Sequence, residues 1–76
     1  MNYKIVAERM MAVKKDKNIT FVFLERATGI RIDKIGRILW GRRPPRLSEF
    51  ALLCAALEAS ADELLRADDK WEIIER

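Results

Sequence analysis

The stretch TFVFLERATGIRIDKIGRILWG, from Thr20 to Gly41, decides the fold. Phe21, Leu24 and Thr28 are spaced three and four apart, so they share one face of a helix. Ile35, Ile38 and Leu39 form the same kind of apolar stripe in a second segment, running from about Ile32 to Trp40. Arg31, Asp33, Lys34 and Arg37 fall largely on the other side of that segment. Between the two stripes stands Gly29, where glycine accepts the positive φ of a sharp turn at little cost. Gly41 ends the second segment in the same way. The expectation is two short helices meeting at a tight corner, the second with a basic outer face.

Working backwards, Thr20 is the expected N-cap of the first of these helices. Ile19 before the cap and Leu24 four residues into the helix have the spacing of a hydrophobic staple. Phe21, Val22 and Phe23 cannot all face one core from two turns, because consecutive residues lie about 100° apart around the axis. At least one is expected on the surface, against a partner or under a folded-back C-terminal segment; the other reading is a wider core. Lys4 to Lys15 reads as an opening helix, with Val6, Met10 and Val13 as its core stripe. The adjacent methionines 10 and 11 are expected as core filler. Lys14, Lys15 and Lys17 crowd the end of that helix, where cations suit its dipole or simply face solvent.

Working forwards, GRRPPR at 41–46 is held extended by two prolines and presents Arg42, Arg43 and Arg46. From Ser48 to Leu57 a helix carries Phe50, Leu53, Cys54 and Leu57 on one stripe, with the thiol inward as a small hydrophobe. Ser60 and Glu63 have capping-box spacing and open a short helix with Leu64 and Leu65. The tail ADDKWEIIER, 67–76, reads equally as helix or strand. Its Trp71, Ile73 and Ile74 are too apolar for a solvated terminus and are expected to cover the core or to pair with a second chain.

Seventy-six residues make one small domain, here with a core of about 4–66 and an extension of 67–76. Half the residues are hydrophobic and 36% are charged, which fits a globular chain. No apolar run is long enough to span a membrane and no signal peptide is expected. A lone cysteine excludes an internal disulfide, and without histidine there is no zinc site or Cys/His nucleophile pair to expect. The expectation is a cytoplasmic protein with no metal, cofactor or small-molecule ligand. An enzyme is disfavoured, because no catalytic constellation is legible.

The net charge of +3 conceals an asymmetry. Residues 1–46 carry twelve Lys/Arg against four Asp/Glu, while residues 47–76 carry three against eight. Such polarity suits a chain that lays one face on a polyanion. A helix, a glycine turn and a second helix with a basic face match the helix-turn-helix that seats its second helix in the major groove of DNA. On that reading Arg31, Ile32, Asp33, Lys34 and Arg37 are the candidates for base contacts. Arginine donates two bonds to guanine, an aspartate accepts from cytosine, and Ile32 would touch a thymine methyl, its other reading being a core residue. Asp33 in the first turn also stabilises the helix N-terminus without any DNA. Thr20, Arg42, Arg43 and Arg46 are the candidates for phosphate contacts, which fix register without reading sequence. Phe21, Phe23, Trp40, Trp71, Ile73 and Ile74 are the candidates for a dimer or partner surface. Gly36, in mid-helix, costs about 1 kcal/mol relative to alanine. A close approach of its backbone to DNA or to the preceding helix would account for it.

These residues resemble the Cro- and repressor-type helix-turn-helix domains of phages over about residues 5–65. The resemblance is carried by Leu24, Thr28-Gly29-Ile30, Ile35, Ile38-Leu39, Gly41 and Pro45, and by Leu57 followed by Ser60-Ala-Asp62-Glu63-Leu64-Leu65. It implies an all-α, five-helix bundle of the lambda-repressor-like type, acting in a bacterial host. It further implies a sequence-specific transcriptional regulator that occupies operator DNA, usually as a homodimer on a palindromic site. Three positions depart from the family pattern. Glu25 stands where a small residue is usual and must bend outward or find a cation. Phe21 to Phe23 stand where polar, phosphate-holding residues are usual, and Trp40 stands where a polar residue is commoner. The apolar departures point to an unusual dimer or a protein partner, and the alternative function is a protein-interaction module such as an antitoxin or antirepressor on the same bundle.

Overall fold

The computed structural model describes residues 2–65, which are helical throughout apart from turns and caps. Five helices follow in order: α1 (Tyr3–Asp16), α2 (Phe21–Thr28), α3 (Ile32–Leu39), α4 (Leu47–Leu57) and α5 (Ala61–Leu64). There is no strand among the described residues. Trp71, Ile73 and Ile74, with the rest of the extension, lie outside them. No helix among the described residues is long and apolar enough to cross a membrane.

Each helix begins and ends for a local reason. Asn2 accepts the Lys4 and Ile5 amides at 3.1 and 3.4 Å, so α1 starts one residue earlier than the stripe alone suggests. Thr20 caps α2 by accepting the Phe23 amide at 3.0 Å. Gly29, at φ +77°, ends α2 and returns its N–H to the Glu25 carbonyl at 2.9 Å. Gly41, at φ +74°, ends α3 in a Schellman motif, with Gly41 N–H on Ile38 and Arg42 N–H on Arg37. Ser60 accepts the Glu63 amide at 3.1 Å and starts α5.

The expected stripes meet in one core. Val6, Met10, Leu24, Ile35, Ile38, Leu53 and Leu57 are fully buried, with Leu39, Phe50, Cys54 and Leu64 nearly so. Burial pushes the Cys54 thiol pKa up, which keeps it protonated as an inert hydrophobe. α2 packs on α3 and α4, while α1 backs α3, α4 and α5. Two cationic side chains, one on α1 and one at its C-cap, reach the C-terminal ends of α4 and α5. Arg9 donates to the Leu64 carbonyl at 2.8 Å, and Lys17 donates to the carbonyls of Leu57 and Glu58 at 2.7 and 3.0 Å. Lys17 therefore serves the C-terminal carbonyls of α4, a role the sequence alone does not indicate.

Candidate nucleic-acid interface

The outer face of α3 is built by elimination. Ile35, Ile38 and Leu39 occupy the side turned to the core, so Arg31, Ile32, Asp33, Lys34 and Arg37 are all left exposed. Asp33 lies between two arginines, with Arg31 and Arg37 nitrogens each 3.8 Å from its carboxylate. At that length, and with all three side chains more than half exposed, the pairs contribute little to stability. What they supply is a row of donors and one acceptor presented to solvent.

The aim of this row is fixed by α2. Arg31, the N-cap of α3, makes no side-chain cap. Glu25 caps the helix in its place, its Oε2 accepting the Ile32 amide at 2.9 Å. The sequence leaves Glu25 a choice between an outward turn and a cationic partner. Its anionic carboxylate instead finds the positive end of a helix seven residues on. Thr28 braces the same corner, donating to the Leu24 carbonyl at 2.7 Å and accepting the Ile30 amide at 3.0 Å. One consequence is electrostatic. With Glu25 on the first amide of α3, an anionic phosphate is disfavoured at that helix end.

The phosphate candidates divide. Thr20 is exposed at the start of α2, and with its oxygen taken by the Phe23 amide its hydroxyl hydrogen remains able to donate. Lys14, Lys15 and Asn18 line the same shallow depression. Arg42 and Arg46 are exposed. Arg43 is not placed like them. Its guanidinium donates to both Glu49 carboxylate oxygens at 3.0 Å and to the Pro44 carbonyl at 3.0 Å, with only 28% of the side chain exposed. That geometry makes Arg43 part of the framework, holding the loop to α4.

Glu49 is the residue that sequence reasoning missed. Ser48 suggests a helix start, but α4 begins at Leu47, which makes Arg46 the N-cap and Glu49 the third helical residue. Glu49 Oε1 accepts the Arg46 amide at 2.8 Å as well as the Arg43 guanidinium. Only 9% of Glu49 is exposed. The Arg46 amide holds its pKa below the ordinary value of 4.5; desolvation opposes this, and Arg43 and Lys34 assist it. The signal available in the sequence was an acid three residues after a helix start.

The partner candidates also divide. Phe21 is half-buried against the core, with the Lys14 ammonium 4.3 Å above its ring. Val22 and Phe23 are 52% and 50% exposed, as three consecutive apolar residues on a short helix require. Trp40 is 63% exposed and borders an open cleft with Lys4, Met11, Lys15 and Arg42. Leu47 and Leu52 of α4 are exposed as well, beyond what the stripe predicted. No protein-family model matches this chain, and no curated protein matches its sequence.

Proposed function

We propose that the chain is a small sequence-specific DNA-binding regulator, with α2 and α3 acting as a helix-turn-helix and α3 lying in the major groove. The observation that carries this reading is the outer face of α3: three cations and an acid, all exposed, on a helix whose other side is wholly core. An α-helix of about 10–12 Å diameter fills a major groove about 12 Å wide, so such a face meets base edges. Arg31 and Arg37 are the donors for guanine, and Asp33 is the acceptor between them. Thr20, Arg42 and Arg46 supply phosphate contacts around it. The spacing shared with phage Cro- and repressor-type domains supports the same reading and adds a homodimer on a palindromic operator. Two α3 helices would then lie about 34 Å apart. No chemistry is assigned to the chain; its action is occupancy of a site.

The test is retention of duplex DNA from a randomised pool in low salt, followed by the salt dependence of the selected sequence. Selective retention, with affinity falling steeply as salt rises, is the expected result. If no duplex is retained, the exposed Phe23 and Trp40 would mark a surface for a protein, and the antitoxin or antirepressor reading would replace this one.

A further inference from the structure

One flank of α3 is unlike the rest of the molecule. Ile32, Gly36 and Trp40 are four apart and so form one row along the helix and its cap. Ile32 and Trp40 are exposed large hydrophobics, and Gly36 lies between them. A Cβ built at Gly36 meets no atom within 4 Å, so neither α2 nor any other described part of the fold requires a glycine there. Its φ is also outside the left-handed region, unlike those of Gly29 and Gly41. The expected close approach to the preceding helix is therefore absent. Yet alanine in mid-helix is more favourable by about 1 kcal/mol. The result is an open notch in the helix backbone, bracketed by two apolar side chains.

The surroundings of the notch are cationic. Between positions 31 and 42 stand Arg31, Lys34, Arg37 and Arg42 against Asp33 alone. Ile32 and Gly36 lie about 100° and about 60° around the axis from Asp33, at the edge of the reading face, while Trp40 lies about 20° from Asp33 at the C-terminal end of that face. A helix that fills the major groove presents its centre to the bases and its flanks to the two backbones.

Resting on the DNA reading above, we propose that the row Ile32–Gly36–Trp40, which runs from the edge of the face towards its C-terminal end, seats one sugar–phosphate wall of the groove. The missing methyl group lets the α3 backbone close on a deoxyribose, and Ile32 and Trp40 lie against the apolar faces of the sugars on either side. The cations at both ends make a polyanion the matching occupant, rather than an apolar helix of another protein. Gly36 is then a positioning residue that sets how deeply and how far to one side the reading face sits.

The experiment compares wild-type chain with Gly36→Ala and Gly36→Ser on the duplex that wild type selects from a randomised pool. Gly36→Ala is expected to raise the melting temperature by about 4–8 °C. It is also expected to weaken that duplex by about tenfold or more, with Gly36→Ser weaker still than wild type. Opposite signs in stability and affinity are the signature, because damage to the fold would lower both. Affinity within twofold of wild type for both variants overturns the proposal while leaving the DNA reading intact. Wild type that retains no duplex overturns both. Unchanged DNA affinity with a loss of self-association in sedimentation assigns the flank to a second protein and also overturns it.

Discussion

Two arginine–carboxylate clusters lie within twenty residues of each other and do opposite things. At the start of α4, Glu49 is almost fully buried and takes three hydrogen bonds of 2.8–3.0 Å from Arg43 and the Arg46 amide. On α3, Asp33 stands 3.8 Å from Arg31 and Arg37, and all three face solvent. The functional groups, guanidinium and carboxylate, are the same. Burial and distance decide that one cluster closes on itself to hold a loop to a helix, while the other leaves its donors and acceptor open to solvent.

The largest effect expected from that contrast is on folding. Glu49→Ala should cost about 2–3 kcal/mol, because it strands a partly buried guanidinium and an amide. Urea denaturation measures it, and a loss below about 0.5 kcal/mol would erase the distinction between the clusters. The pH dependence sharpens it. Glu49 has a lowered pKa in the fold and an ordinary one, 4.5, when unfolded. Its stabilisation is therefore complete above the unfolded value and is lost as pH falls through the folded value. Stability of the wild-type chain should decline below about pH 4.5, and Glu49→Gln should flatten that limb and lower the neutral plateau.

On the open cluster the effect moves from stability to binding. Arg37→Ala should leave stability within about 0.5 kcal/mol yet reduce preference for the selected duplex over random DNA by about 1–3 kcal/mol. A competition titration reads this; equal losses on both DNAs would contradict a base-reading role. The smallest effect separates neighbours in the loop. Arg42→Ala should weaken all duplexes alike and lower the salt slope by about one, with no change in melting temperature. Arg43→Ala should lower the melting temperature first. If the two behave alike, the division of the loop into a gripping and a structural arginine fails.

How much of this is legible in the sequence follows from the range of the interactions. Helix stripes, the caps at Thr20 and Ser60 and the glycine ends at Gly29 and Gly41 depend on residues within a few positions of one another, and the sequence shows them. The exposure of Arg31, Asp33, Lys34 and Arg37 follows from the same periodicity. Other contacts depend on how elements meet, and no local pattern encodes them. Lys17 reaches forty positions ahead to the Leu57 carbonyl. Glu25 reaches the Ile32 amide across the corner, and Arg43 reaches ahead to Glu49 on α4. The start of α4 departs from the expected one because Ser48 offers a stronger capping signal than Arg46, whose guanidinium has no acceptor.

The bond from Glu25 to the Ile32 amide also ties the orientation of one helix to the side chain of another. The buried Ile35, Ile38 and Leu39 set the roll of α3 about its long axis, and the Glu25 carboxylate pins its first turn to α2. Losing that single carboxylate would leave the Ile32 amide without its acceptor and fray the opening turn of α3, from a position on another helix altogether.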